Sequence, residues 1–234
     1  MIKAIFFDLD GTLLPMDLNE FISLYLGLLA KYVEPYGYDK KKIVDVLVKG
    51  TELMTANDGK KTNYDVFWEY FYSIFGEDKK KDLPVFESFY ATEFKKTILS
   101  TRPNKYAAEI IDFCKKHFEK TILATNPFFP KVAVETRLSF INLNYDDFDF
   151  VTSYENSSCC KPNLMYFRWL LDKFNLKPEE VIMFGNDTND DASISQLGIK
   201  CYIIDNTMIN STKNNYEYEI IKMEDVIPVL KSYL

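Results

Sequence analysis

Histidine is nearly absent, since the 234 residues include one, His117. A two-histidine zinc site of the HExxH kind is therefore excluded, and acid–base chemistry falls to carboxylates, lysine, tyrosine or cysteine. Glycine is scarce as well, with 8 residues, no two of them two positions apart. That removes the GxGxxG dinucleotide loop, and no GxxxxGK(S/T) phosphate loop occurs. The four cysteines, Cys114, Cys159, Cys160 and Cys201, form no CxxC pair and read as reduced thiols of an intracellular protein. Positive charge is in deficit, with 28 Lys+Arg against 35 Asp+Glu and a net charge of −7, so neither nucleic acid nor a membrane surface is an expected partner. No stretch approaches the roughly 18 uncharged apolar residues of a membrane span. Asp8 and Asp10 come too early for a secretory signal, and a cytoplasmic location is expected.

What is present is a globular balance of 47% hydrophobic and 27% charged residues. Five short apolar runs, 3–7, 120–124, 148–152, 181–184 and 200–204, have the continuity of strands buried on both faces. The last four are separated by helical patterns. Between 162 and 174, Leu164, Phe167, Leu171 and Phe174 recur at helical spacing, with Leu170 beside them. This alternation predicts βαβ units, a parallel sheet with right-handed crossovers, and ligands at the carboxyl ends of the strands.

Residues 16–100 break the alternation. They contain no strand pattern but several helical ones, at 21–33, 43–54 and 86–94, and the stripe Tyr64, Phe67, Trp68, Phe71, Phe75. The stripe reads as the packed face of a helix rather than a ligand cage. Lysine triplets at 40–42 and 79–81 fall between these helices, with Gly59 and Gly76 as breakers. The expected fold is α/β. A Rossmann-like parallel-sheet core, 1–15 and 101–234, carries an all-helical insertion, 16–100, which hangs over the carboxyl edge of the sheet.

The chemistry gathers at the ends of the apolar runs. Asp8-Leu9-Asp10-Gly11-Thr12 closes the first run, and side chains at i and i+2 of a strand point to one side. Two such carboxylates raise each other's pKa unless a cation lies between them, and a hard ion with oxygen ligands such as Mg²⁺ resolves the repulsion. Gly11 permits the sharp exit, and the amides that follow can face an anion. Alone, an acidic turn simply ends a strand. Thr125 and Asn126 end the second run with a hydroxyl and an amide. Lys161 precedes Pro162 at a predicted helix start, the wrong end for a cation, which suggests an anion nearby. The fourth run ends in Gly185-Asn186-Asp187-Thr188-Asn189-Asp190-Asp191. Asp187 can complete an oxygen shell, Asp191 can anchor Lys161 or a loop amide, and either can cap a helix.

Together the four motifs, DLDGT at 8–12, ATN at 124–126, KP at 161–162 and GNDTNDD at 185–191, resemble the haloacid dehalogenase superfamily of aspartate-nucleophile phosphotransferases. The insertion resembles that family's helical cap, without a residue-level match. The resemblance implies an Asp8 nucleophile that accepts a phosphoryl group and an Asp10 that protonates the leaving alkoxide and then deprotonates water. It implies that Thr125 and the Asn126 amide hold the phosphoryl group, together with the Gly11 turn, while Lys161 neutralises charge. Mg²⁺ would be bound by the Asp8 carboxylate, the Asp10 carbonyl and Asp187. Many relatives read Gly-Asp where this chain has Gly185-Asn186-Asp187, and Asp187 is preferred as the ligand because a carboxylate outcompetes an amide. The aspartate at position 10 also disfavours a dehalogenase.

The expected activity is a Mg²⁺-dependent phosphatase acting on a small phosphorylated metabolite such as a sugar phosphate, a nucleotide or phosphoglycolate. Three alternatives share the residues. One is a phosphosugar mutase, and another is a phospho-ligand binding protein without catalysis. The third is a receiver-like signalling protein phosphorylated at Asp149 on a middle strand. His117 reads as a solvated helix-end residue.

Overall fold

The protein is described here by a computed structural model that covers residues 1–211 and 214–234. Six strands form one parallel sheet: β1 (Ala4–Phe7), β2 (Lys120–Leu123), β3 (Phe150–Val151), β4 (Val181–Gly185), β5 (Lys200–Ile204) and β6 (Glu219–Ile221). Their order is β3-β2-β1-β4-β5-β6. β1 lies inside the sheet, with Phe6 in register with Ile122 on one side and Met183 on the other. Side chains alternate across it. Ile5 and Phe7 join a core under α5 (Ala107–His117) and α8 (Val226–Lys231), while Ala4 and Phe6 join a second core under α7 (Leu164–Phe174). Burial on both faces explains why the inner strands read as unbroken apolar runs. β6 has no such run, because this three-residue edge strand is largely exposed.

Between β1 and α5 the chain forms α1 (Leu18–Val33), α2 (Lys40–Thr55), α3 (Asn63–Phe75) and α4 (Leu83–Ala91). It leaves and re-enters at one place. Met16 and Thr101 form an antiparallel bridge, and the Arg102 amide donates to the Pro15 carbonyl at 2.7 Å. Asp17, Asp39 and Thr62 cap α1, α2 and α3 by accepting backbone amides of their first turns. The Asp39 cap places residues 40–42 in the opening turn of α2, so the first lysine triplet is an exposed helix end rather than a segment between helices.

The helix expected over 86–94 is also divided. Thr92 leaves helical geometry at φ −123° and ψ −83°, its hydroxyl donates to the Ser88 carbonyl at 2.6 Å, and a tighter helical stretch follows over Glu93–Ser100. α7 likewise starts at Leu164 rather than Pro162, because the Asn163 side chain accepts the Met165 amide and sets the cap there.

The aromatic stripe of α3 packs into the insertion's core, as expected. Phe71 is fully buried, with its ring 5.0 Å from Trp68, 4.8 Å from Phe75 and 5.3 Å from Phe86. Phe71→Ala should therefore cost about 3–5 kcal/mol, through lost burial and the cavity left behind. Urea unfolding would read this as a lower midpoint, and an unchanged midpoint would mean that the cluster does not hold the insertion.

Candidate active site

The ends of β1, β2 and β4 and the loop before α7 converge on one cavity of about 460 Å³. Asp8 follows β1 directly and is 6% exposed, and Lys161 is 2% exposed. The Lys161 Nζ lies 2.7 Å from Asp8 Oδ1 and 2.6 Å from Asp191 Oδ1. Asp191 turns its other oxygen to the amides of Asn186 and Asp187, at 2.9 and 3.0 Å, so it anchors both the lysine and the loop. Gly185 leaves room for this, since a Cβ there would lie 2.3 Å from Asp191 Cγ.

Burial pushes the Asp8 carboxyl up to about 7, against the opposing pull of Lys161, and the Asp191 and Asp10 carboxylates add to the rise. Burial also works against the Lys161 ammonium, but Asp191 and Asp8 overcome it and raise its pKa well above the ordinary lysine value. The lysine is therefore a fixed cation between two carboxylates.

Asp10 is held differently. Its Oδ2 pairs with Nη1 of Arg137 on α6 (Lys131–Ser139), a side chain with no exposed surface whose guanidinium lies 4.5 Å from the Phe129 ring centre. The Asp10 Oδ1 and the Arg137 Nη2 are buried without a hydrogen-bond partner among the described residues. Sequence reasoning missed Arg137. The available signal was its position four residues after Ala133 and three after Val134, with Leu138 adjacent, which places an arginine on the buried side of a helix.

The remaining residues tie the loops together. Asn126 accepts the Lys161 amide at 2.9 Å and donates to Asp190 at 2.8 Å. Burial, followed by the Asp187 charge, pushes Asp190 up to about 6. The Thr125 carbonyl accepts the hydroxyls of Thr152 and Tyr166 at 2.7 and 2.9 Å. Thr12 donates to Asn186 Oδ1 at 3.3 Å and to Asp8 Oδ2 at 3.4 Å.

Asp8, Asp10, Thr125, Asn126, Lys161 and Asp187 all line the cavity, whereas Gly11 lies outside its lining. The Gly11 amide donates to the Leu14 carbonyl at 2.8 Å, and those of Thr12 and Leu14 are spent on the Leu9 carbonyl. Gly11 supplies the space its turn requires. Its φ is +87°, and a Cβ would meet Asn186 Nδ2 at 2.1 Å.

The loop at 186–187 divides its side chains in a way the sequence did not suggest. The Asn186 amide group meets the DLDGT turn through Thr12, while Asp187 Oδ1 accepts the amides of Asn189 and Asp190 at 2.7 and 3.0 Å. All available donors are hard oxygens, which suits Mg²⁺ rather than a softer metal. Among the described residues, no three His, Cys, Asp or Glu side chains converge closely enough to hold a metal by themselves. The set fits an ion that keeps part of its water shell, as Mg²⁺ does.

Asp149 does not lie on a middle strand. It precedes the edge strand β3 and binds the Thr121 amide at 2.8 Å and Lys120 at 2.9 Å, at the amino end of the sheet. Phe128 and Phe129 line the cavity. All four cysteines are buried and unpaired, and burial pushes the Cys160 thiol up to about 12, which removes a reactive thiolate beside Lys161. His117 is exposed at the end of α5, 4.4 Å from the Phe113 ring. No helix among the described residues is long and apolar enough to cross a membrane.

A family model for the haloacid dehalogenase-like hydrolases matches residues 2–198, and the chain belongs to that family. No curated protein matches it by sequence. Among solved structures, a HAD phosphatase from Thermococcus onnurineus is 20% identical over 98% of both chains, with a TM-score of 0.60. An L-2-haloacid dehalogenase from Xanthobacter autotrophicus is 14% identical over 100% of both chains, also with a TM-score of 0.60. The magnesium-bound HAD-hydrolase YfnB from Bacillus subtilis is 17% identical over 98% of both chains, with a TM-score of 0.57. At these identities the likeness is one of fold.

Arg137→Met should destabilise the protein by about 1–3 kcal/mol, because it leaves the half-buried Asp10 carboxylate, whose Oδ1 already lacks a partner among the described residues, unpaired. Adding Asp10→Asn should recover much of that loss. A double-mutant cycle in denaturant measures the coupling, and additive losses would show that the two side chains act independently.

Proposed function

We propose that the chain is a Mg²⁺-dependent phosphatase that hydrolyses a small phosphomonoester through an aspartyl phosphate on Asp8. The supporting observation is the buried Asp8–Lys161 contact at 2.7 Å on the floor of a cavity that Asp10 also lines. A carboxylate and a fixed ammonium at one point form a site for attack on phosphorus, where alignment and charge stabilisation supply most of the catalysis.

In this reading Asp8 attacks the phosphorus and the alcohol departs with its oxygen. Asp10, oriented by Arg137, enters this step protonated and gives that oxygen its proton. As the resulting carboxylate it then takes a proton from the water that attacks phosphorus, and the phosphorus–Asp8 bond breaks to release phosphate and restore the Asp8 carboxylate. A halide needs no proton to leave, whereas an alkoxide does, so the Asp10 arrangement supports phosphate-ester cleavage over dehalogenation. Lys161 spreads charge from Asp8 and the transferring group, while Thr125 and the Asn126 backbone amide hold the phosphoryl oxygens. The helical insertion, 16–100, acts as a cap that keeps bulk water from the intermediate. The Asp8 carboxylate, the Asp10 carbonyl, the Asn186 amide oxygen and the remaining Asp187 oxygen are the groups that would hold Mg²⁺, which supplies charge neutralisation at the phosphoryl oxygens.

Inorganic phosphate release from a panel of phosphomonoesters should require Mg²⁺, and Asp8→Asn should lower it by at least about three orders of magnitude. Full activity in that variant, with deamidation excluded by mass spectrometry, would end the proposal.

The register of the metal contact has its own test. Asn186→Asp should lower the Mg²⁺ concentration needed for half-maximal activity, because a charged ligand replaces a neutral one. Asp187→Asn should raise it, because a neutral amide replaces a carboxylate. If Asp187→Asn abolishes Mg²⁺ dependence while Asn186→Asp changes nothing, Asp187 is the ligand that matters.

A further inference from the structure

The floor of the cavity is charged, but its walls are hydrocarbon. Of the residues that the helices of the insertion contribute, Glu52 is the one charged side chain among those described, and none is Lys, Arg, His, Asn or Gln. The hydroxyl and indole groups in the wall are partly engaged already, and Thr51 and Thr55 donate to the Leu47 and Thr51 carbonyls of their own helix at 3.0 and 2.9 Å. Tyr25 and Tyr90 share a hydrogen bond of 2.8 Å, and Trp68 Nε1 donates to the Tyr154 hydroxyl at 3.4 Å. Arg137 has no exposed surface and does not reach the lining. The apolar surface continues outward to a rim where Leu18, Ile22 and Val48 are 40%, 42% and 47% exposed.

We infer that the substrate is the phosphate monoester of an uncharged, predominantly hydrocarbon alcohol, alkyl or aryl, whose organic part lies between α1 and α2. The inference rests on the phosphatase reading for the position of the phosphate, but the wall chemistry supports it separately. With a phosphoryl group at Asp8, the organic portion of the ester extends into the apolar part of the same cavity. A sugar there would lose water from several hydroxyls and find few partners in a mostly apolar lining, and each unmade hydrogen bond costs about 1–3 kcal/mol. A second phosphate or a carboxylate would meet no cation among the lining residues of the insertion, where Glu52 is paired with Lys49 at 2.8 Å just outside the lining. An alkyl or aryl group instead removes apolar surface from water, on its own side and on the rim. The cavity volume lies within the range usual for small-molecule sites. Sugar phosphates, nucleotides and phosphoglycolate, the substrates suggested by resemblance, are thereby disfavoured.

Calorimetric titration of the full chain with methyl-, butyl- and octylphosphonate, in Mg²⁺, tests this without requiring turnover. Affinity should rise by up to about fourfold per methylene until the cavity is filled. Ile22→Asp and Val48→Asp, at exposed positions where folding is not at risk, should flatten that rise. Affinity equal from methyl to octyl would overturn the inference, as would faster turnover of glucose 6-phosphate than of hexyl phosphate. Phosphomonoester turnover with no dependence on chain length would sink this inference and leave the phosphatase reading standing. A chain-length gradient in binding, with no turnover of any ester, would do the reverse.

Discussion

The ion trio of Asp8, Lys161 and Asp191 is the constraint on which the architecture of the site depends. One ammonium joins the end of β1 to the loop after β4 and to the turn before α7, three places far apart in sequence. Each charge is buried, and an uncompensated buried charge costs several kcal/mol, so no member can be withdrawn without disturbing the others. The geometry accordingly brings glycine to Gly185, where a side chain would collide with Asp191, and places Asn126 where it receives the Lys161 amide. Five carboxylates, Asp8, Asp10, Asp187, Asp190 and Asp191, line this end of the cavity against one lining cation among the described residues, Lys161. That residual charge is the physical reason a divalent cation belongs in the proposed chemistry.

A second ion pair, Asp10 with the fully buried Arg137, gives the neighbouring carboxylate a different environment. Asp8 has a partner at each oxygen, whereas Asp10 has one oxygen fixed and one free of partners among the described residues. Two acids two residues apart thus face different surroundings, and their proposed roles as nucleophile and proton carrier differ in the same way. The difference comes from helix α6, which lies outside the motifs that carry the family likeness.

How much of this was legible in the sequence depends on the range over which each feature is determined. The inner strands could be read because burial on both faces leaves a continuous apolar run, a local signal. β6 could not, since an exposed three-residue edge strand is defined by its neighbour rather than by its own residues. The stripe of α3 was readable for the same local reason as the inner strands. The helix start at Leu164 and the break at Thr92 were not, because each turns on one side-chain hydrogen bond to the backbone. The placement of Asp8, Lys161 and Asn126 around one cavity followed from topology, since parallel strands end on the same edge. The Arg137 contact, 127 residues from Asp10, and the turning of Asn186 to the DLDGT turn and of Asp187 to its own loop depend on which way particular side chains point. Periodicity carries no information about that.

The charged floor and the hydrocarbon wall also constrain each other. In a low-dielectric enclosure the attraction between Asp8 and Lys161 is far stronger than it would be in water, and so is any stabilisation Lys161 gives to charge developing on a transferring group. The same enclosure raises the cost of ionising Asp8 and would raise the cost of every unpaired polar group a ligand brought with it. A polar wall would lessen the second cost but would admit water and weaken the first effect. The aromatic lining contributed by α1, α3 and α4 resolves the conflict in one direction, keeping the floor's electrostatics strong and accepting a narrow class of organic groups. On the proposed reading, catalytic environment and substrate preference then have a common origin, the side chains that bury Asp8.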